Sequence, residues 1–325
     1  MARPSARPSL SATPRDLIAG TAIITLFGTT SAYIPVLGFA GFFLVPLPVL
    51  FYRVRFGGQA ALIVSAVSLL IISGVTGGFG ADAALMAGMM GQGFLLGQYL
   101  ENDTPADKTI AYSTLTILAA AFVAIVVIGN LAGTGPTGLI SGYIEKNLEL
   151  MVAAYKQLDV SEEAIREIDE SMGRLHHALM AVFPAIIAST LIITAWVNLL
   201  LGRFILKKAG FTSPAMERLN LWQAPEQLVW GVIACGILLL LPFQPMRVIA
   251  ANILMVAMIV YLLQGFAVIS FYFNKKDVPL FIRIIVYAAV AIQQFLLLFV
   301  VGVGFFDTWF NLRRINTGDN DQPVP

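Results

Sequence analysis

Uncharged amide side chains are the groups in this chain that could bind a polar ligand within a membrane. They lie inside long apolar stretches, where an amide without a hydrogen-bond partner costs several kcal/mol. Such an amide either joins two helices or lines a cavity that receives a ligand, and the sequence leaves both alternatives open. The amides inside apolar stretches are Gln92, Gln98, Asn130, Asn198, Asn252, Gln264, Gln293 and Gln294.

A candidate ligand site follows from two late apolar stretches that carry amides at similar depth. Charged residues at the ends of apolar stretches, which include Asp82 and Arg313, could form a rim above them or could simply face lipid headgroups. A mixed-charge rim over a glutamine-lined cavity would suit a small zwitterionic or polar ligand. The predicted ligand-binding residues are Gln92, Asn252, Gln264, Gln293, Gln294, Asp307 and Arg247.

Motifs for catalysis are missing from the sequence. It has no glycine-rich loop ending in Gly-Lys-Ser/Thr, no His-Glu-x-x-His and no Gly-x-Ser-x-Gly. Cys235 is the lone cysteine, and the side chains of the adjacent His176 and His177 diverge by about 100° on a helix. We therefore expect no enzymatic activity, cofactor or metal, although a membrane enzyme acting on lipid-linked substrates stays an alternative.

Ionisable residues are scarce where a pump would need them. The central parts of the predicted spans carry no Asp, Glu, Lys, Arg or His, the residues that mark proton relays and ion-coupled pumps. This argues against an autonomous proton-driven transporter. The net charge of +1 gives no concentrated basic face, so nucleic acid is not an expected partner.

Composition and hydropathy place the chain in the membrane. Apolar residues make up 58% and charged residues 12% of its 325 residues, whereas soluble domains contain about 25% charged residues. The mean hydropathy is +0.82, and windows of the ~20 apolar residues that a spanning helix needs follow one another from Leu17 to Phe306. The sequence predicts an all-α, polytopic transmembrane bundle of eight or nine spans, eight if a proline-bearing stretch is re-entrant.

Polar stretches divide the chain into five predicted parts. They are a disordered cytoplasmic tail (1–16), N-terminal transmembrane helices (17–132), an extracytoplasmic amphipathic region (133–174), C-terminal transmembrane helices (175–306) and a C-terminal tail (307–325). The middle region has apolar residues at helical spacing, from Ile144 and Leu148 onward, and Asp159 with Glu162 resembles a capping box. It serves either as a connector or as a lid over a ligand entrance.

Loop charges predict the orientation. Lysine and arginine accumulate in the N-terminal tail and in later loops, at positions such as Arg53, Arg55, Lys207 and Lys275. Short basic loops stay in the cytoplasm. The protein is therefore expected in the cytoplasmic (inner) membrane, with the lipid bilayer around it, its N-terminus inside and the acidic 133–174 region outside.

Two segments resemble the YybS-like predicted membrane proteins of bacteria. One is Gln-Gly-Phe-Ala-Val at 264–268, and the other is Gly-Phe-Phe-Asp-Thr-Trp-Phe-Asn-Leu-Arg at 304–313. The early segments Ile-Pro-Val-Leu-Gly at 34–38 and Arg-Val-Arg-Phe-Gly at 53–57 fit the same pattern. The similarity covers most of the chain.

The resemblance suggests a function in nutrient capture. That family has no assigned function, but it is similar to the substrate-binding S components of energy-coupling-factor vitamin transporters, which depend on a separate ATPase module. The expected function is therefore transport-associated binding of a small polar nutrient, with no ATPase on this chain. The alternative is a membrane scaffold or assembly factor that binds partner helices.

Overall fold

The computed structural model describes residues 11–33, 35–157, 162–211 and 222–313. All regular secondary structure in these ranges is α-helical, which confirms the all-α prediction. The helices are α1 Pro14–Tyr33, α2 Pro35–Leu44, α3 Pro46–Phe56, α4 Gly58–Val75, α5 Ala81–Glu101, α6 Ala106–Leu131, α7 Gly135–Gln157, α8 Glu162–Lys208, α9 Gln227–Leu240, α10 Gln244–Lys275, α11 Leu280–Ile292 and α12 Gln294–Phe310.

Helix boundaries follow from local chemistry at several points. Pro35 and Pro46 start α2 and α3, because proline suits the first turn of a helix, where its missing N–H is not needed. Before α1, Thr13 and Asp16 cap each other: the Thr13 backbone N–H donates to Asp16 Oδ2 at 3.0 Å, and the Asp16 N–H donates to Thr13 Oγ1 at 3.3 Å. Hydrogen bonds from the side chain and backbone of Thr13 lower the pKa of the Asp16 carboxyl.

Fewer helices are long and apolar enough to span a membrane than the eight or nine that were predicted. In the part of the chain that the structure describes, four pass: α4, α6, α10 and the 39-residue part of α8 from Glu170 to Lys208. A fifth is added if α11 and α12, which bend by 106° at their junction, form one span. The predicted number is therefore too high by this measure.

The lower number has two physical reasons. Helices α1 and α5 have 20 and 21 residues but are not apolar enough to pass as spans, and proline and polar breaks divide other apolar sequence into short helices. Helices α2 and α3 have 10 and 11 residues. Helix α9 has 14 residues, so at 1.5 Å per residue it is about 21 Å long, against about 30 Å of hydrocarbon. Counting apolar stretches overestimates spans wherever such breaks shorten the helix.

Residues 135–157 and 162–174 are helical, as the spacing of apolar residues in the 133–174 region predicts. Ile144, Leu148 and Val152 form the buried stripe of α7. The second predicted helix is not separate, because α8 continues from Glu162 as far as Lys208. Asp159, the predicted cap, lies outside the described residues.

The chain divides into two compact units. The first comprises Met1–Phe183 and Thr190–Met216, and the second comprises Pro184–Ser189 and Glu217–Pro325. In the first unit, α3 and α5 approach closely at a Gly93-x-x-x-Gly97 motif on α5. A Cβ atom on Gly93 would lie 2.4 Å from the Pro46 carbonyl oxygen, so only glycine allows this contact.

Candidate functional site

Two glycines bring α10 and α12 into backbone contact in the second unit. A Cβ atom on Gly265 would lie 2.1 Å from the Val300 carbonyl oxygen, and one on Gly304 would lie 2.0 Å from the Tyr261 carbonyl oxygen. Neither position tolerates a side chain without separating the helices. Residues one turn from these glycines are therefore held face to face.

Beside the glycine contact lies a buried group of polar side chains, here called the C-terminal polar cluster: Gln264, Asp307, Thr308 and Arg313. Asp307 Oδ2 is its centre. This oxygen accepts hydrogen bonds from Gln264 Nε2 at 3.0 Å, from Arg313 Nη2 at 2.7 Å and from Arg313 Nε at 3.2 Å. The other carboxylate oxygen, Oδ1, has no hydrogen-bond partner in the described ranges.

Both the oxygen and the nitrogen of the Gln264 amide form hydrogen bonds within the protein. Its Oε1 accepts from the Ala224 backbone N–H at 3.2 Å, and its Nε2 contacts Thr308 Oγ1 at 3.4 Å as well as Asp307. Arg313 Nη2 also donates to the Trp222 carbonyl oxygen at 2.9 Å. The cluster thus ties α10 and α12 to the segment that precedes α9.

A left-handed residue returns the chain so that Arg313 can reach Asp307. Asn311 ends α12 with φ 42° and ψ 54°, and its N–H donates to the Asp307 carbonyl oxygen at 3.0 Å. Asparagine is one of the few residues that adopts this conformation readily. The Tyr272 hydroxyl then donates to the Leu312 carbonyl oxygen at 2.8 Å, which fixes the turn.

The ion pair between Asp307 and Arg313 is fully enclosed: both side chains have 0% exposure. Removing two charges from water has a large desolvation cost, which is recovered only with good geometry and further hydrogen bonds. Gln264 and the Trp222 carbonyl supply those bonds here. The arrangement is electrically neutral and holds three parts of the second unit together.

Comparison with known proteins identifies the family. Residues 22–308 match the model of the family described as "Predicted membrane protein (DUF2232)". The chain belongs to this family. The protein named "Uncharacterized protein YybS" from Bacillus subtilis (strain 168) is 23% identical over 310 residues, which cover 92% of this chain and 98% of the relative. No solved structure matches the chain.

The family assignment confirms the resemblance to YybS-like proteins and the placement among predicted membrane proteins. The two segments that carry the resemblance, 264–268 and 304–313, are the ones that meet at the glycine contact. The matched range includes Gln264 and Asp307 but ends before Arg313. The similarity to S components of energy-coupling-factor transporters stays a prediction.

Of the predicted ligand-binding residues, the structure brings Gln264 and Asp307 together. Gln92 belongs to the first unit, where its Nε2 donates to the Leu191 carbonyl oxygen at 2.7 Å. Asn252 belongs to the second unit, where its Oδ1 accepts from the Ala185 N–H at 2.9 Å. Ala185 directly follows the proline inside α8, so Asn252 supports the backbone at the point where proline disturbs the helix.

The remaining predicted residues lie apart from the C-terminal polar cluster. Gln293 and Gln294 are exposed at the junction of α11 and α12, and Arg247 is exposed in the first turns of α10. Their role in ligand binding stays a prediction. Asp82 is also exposed, as a rim residue would be, but Asp307 is completely buried.

Sequence reasoning missed the part of the site that lies beyond α12. Arg313 was assigned to a rim, whereas it folds back six residues to pair with Asp307. Its signal in the sequence is Asn311 immediately after a helix of apolar residues, the position at which a left-handed residue ends many helices. The Trp222 and Ala224 backbone groups gave no sequence signal, because any residue type can supply them.

Proposed function

We propose that this protein is a multi-pass protein of the cytoplasmic membrane that acts as a scaffold or assembly factor by binding a transmembrane helix of another protein. The observation that carries the proposal is an open apolar groove between α1 and α4, with a volume of about 620 Å³. It is lined by Leu17, Ile18, Thr21, Ala22, Thr25, Leu26, Thr29, Ile63, Val67 and Ile71.

The lining of this α1–α4 groove matches a helix as its occupant. Thr21, Thr25 and Thr29 recur every four residues along α1, so they form one row on the helix surface. Small residues at this spacing allow a second helix to approach closely in a membrane, and hydroxyls can hydrogen-bond to it. The Thr25 hydroxyl is buried and has no partner among the described residues.

The groove is open although α1 and α4 contact each other beside it. The Ser68 hydroxyl donates to the Thr21 carbonyl oxygen at 3.2 Å. A Cβ atom on Gly28 would lie 2.3 Å from Ile72 Cδ1. The groove is thus a stable concave surface between two fixed helices, which suits a docking site better than a closing pocket.

The buried amides support a scaffold because they already hold the protein's own backbone. Gln92 donates to Leu191, and Asn198 donates to the Phe43 and Thr194 carbonyl oxygens, each at 2.7 Å. A binding cavity would instead leave the N–H groups of several amides pointing at one empty volume. The loop charges support an N-terminus in the cytoplasm and residues 133–174 outside. This orientation requires an odd number of crossings before residue 133, so at least one more helix would have to cross besides α4 and α6, the two described helices there that pass by length and composition.

Photo-crosslinking in native membranes tests the scaffold proposal. A photo-reactive residue in place of Leu26, which lines the groove and is 62% exposed, should form an adduct with an integral membrane protein. The matched control is Phe122 on α6, which is 68% exposed and outside the groove lining. The adduct should disappear in a Thr25→Trp variant, whose indole fills the groove.

The scaffold proposal requires different adducts at Leu26 and at the control position Phe122. Equal protein adducts at Leu26 and Phe122, or lipid adducts only at both, would contradict the proposal.

The orientation has a separate test. On whole cells, an impermeant thiol reagent applied to a Cys235→Ala background should modify a Glu149→Cys variant and not a Thr13→Cys variant. The reverse pattern would overturn the orientation.

Transport-associated nutrient capture is the second candidate, and the bend between α11 and α12 favours it. The two helices meet at 106°, and Gln293 between them has extended backbone with φ −99° and ψ 107°. Broken apolar helices with polar residues at the break are typical of substrate sites in secondary transporters. A separate ATPase module would then be the partner, and a small polar molecule would be the ligand.

A further inference from the structure

A second buried polar group lies in the first unit, and the scaffold proposal uses only its amide nitrogens. Gln92 of α5 and Thr194 and Asn198 of α8 each have 0% exposure. Each of them has an oxygen without a hydrogen-bond partner among the described residues: Gln92 Oε1, Thr194 Oγ1 and Asn198 Oδ1. Three such oxygens on fully buried side chains require a physical explanation, because each unpaired polar atom destabilises the fold.

The hydrogen bonds of Gln92 and Asn198 show that the unpaired atom of each amide is its oxygen. Gln92 faces the Leu191 carbonyl oxygen at 2.7 Å, and Asn198 faces the carbonyl oxygens of Phe43 and Thr194 at 2.7 Å each. Only the nitrogen of an amide can donate to a carbonyl oxygen. The remaining amide atoms are therefore acceptor oxygens, and they are free to bind a partner.

Hydrogen bonds place the three side chains close to one another along α8. Residues three and four apart are neighbours on a helix surface, so Leu191, Thr194 and Asn198 form one row. Helical side chains lean toward the N-terminus, which carries the Asn198 amide back over Thr194, as its bond to the Thr194 carbonyl oxygen shows. The Gln92 amide lies against the Leu191 carbonyl oxygen, three residues before Thr194, so both amide groups lie within about one turn of Thr194.

The chemistry of the group selects its ligand. Unpaired amide oxygens accept hydrogen bonds or coordinate a cation, and they donate nothing. Hard cations take oxygen ligands, and sites for divalent ions rely on carboxylates, which this group of uncharged side chains lacks. We propose that Gln92 Oε1, Thr194 Oγ1 and Asn198 Oδ1 bind one small monovalent cation, such as sodium.

Sodium-dependent melting of the purified, detergent-solubilised protein tests this site. Sodium chloride is replaced stepwise by choline chloride at constant ionic strength, and the melting temperature is recorded. We expect a saturable rise with sodium in the wild-type protein. In a Thr194→Val variant, which keeps the shape and removes one ligand, the apparent sodium affinity should fall by about tenfold or more.

The matched control is Thr114→Val. Thr114 is buried in the first unit, and its hydroxyl also has no partner in the described ranges, so this variant loses a comparable hydroxyl away from the proposed site. It should retain the full sodium response. A sodium response that is unchanged in Thr194→Val would show that the ion binds elsewhere and would overturn the proposal.

Direct binding keeps the test decisive if Thr194→Val fails to fold. Equilibrium binding of radioactive sodium to the wild-type protein should saturate at one ion per chain, and excess unlabelled sodium, but not choline, should displace it. Absence of both saturable binding and a melting response would mean that the three oxygens bind water, and the cation site would be rejected.

Discussion

The two units bury polar groups in different ways. In the first unit, uncharged side chains donate to backbone carbonyls, as Gln92 does to Leu191. In the second unit, Asp307 and Arg313 form an enclosed ion pair, and the surrounding polar groups of Gln264 and Trp222 are directed at it. A buried charge that loses its partner costs more than a buried amide that loses one.

This difference predicts which unit is more sensitive to substitution. Loss of one partner from an ion pair leaves a buried charge, whereas loss of an amide leaves an unpaired neutral group. The same substitution should therefore be more destabilising in the C-terminal polar cluster than among the amides of the first unit.

The largest effect is expected when Arg313 is replaced by Met. Asp307 would then keep a buried charge without its cation, and the free energy of unfolding should fall by about 3–5 kcal/mol. Chemical unfolding in detergent measures this loss. The double variant Arg313→Met with Asp307→Leu should recover part of it, because no charge remains. Wild-type stability of the single variant would show that the pair does not hold the second unit together.

A smaller effect is expected at the contact between α10 and α12. Gly304→Ala places a Cβ atom 2.0 Å from the Tyr261 carbonyl oxygen, so the helices must separate, at a cost of about 1–3 kcal/mol. Gly302→Ala on the same helix is the control, since its Cβ atom would meet nothing within 4 Å. Removing a glycine from a helix interior there should stabilise by about 0.5–1 kcal/mol.

Melting temperatures of the two alanine variants provide the comparison. Equal shifts for Gly304→Ala and Gly302→Ala would contradict the close approach of α10 and α12. The glycine contact would then no longer explain how Gln264 and Asp307 come together.

The sequence predicted the fold class well because hydropathy and helical spacing are local properties. It placed helices in the 133–174 region, where α7 and the start of α8 lie, and this prediction depends on residues close together in the chain. The number of spans was overestimated, because each apolar stretch was counted as a span. Some of these stretches form helices too short to cross, such as α3, and others, such as α5, are long enough but contain too many polar and small residues to pass as spans.

The candidate site was predicted in part, for a related reason. Gln264 was identified from its polarity inside an apolar stretch, and so was Gln92. Asp307 was identified as well, but its pairing with Arg313 was missed, because both were treated as charges at the end of the last apolar stretch. Only the left-handed conformation of Asn311 brings Arg313 back, and the partners supplied by backbone groups at residues 222 and 224 depend on tertiary structure.

The most direct test of the account compares Gln264→Leu with Gln293→Leu in purified protein. If buried amides join helices, Gln264→Leu should reduce the free energy of unfolding by about 0.5–2 kcal/mol. Gln293→Leu, at an exposed position, should change it little, and neither variant should lose a co-purifying small molecule. Unchanged melting of Gln264→Leu together with loss of a bound small molecule would contradict the account and favour nutrient capture instead.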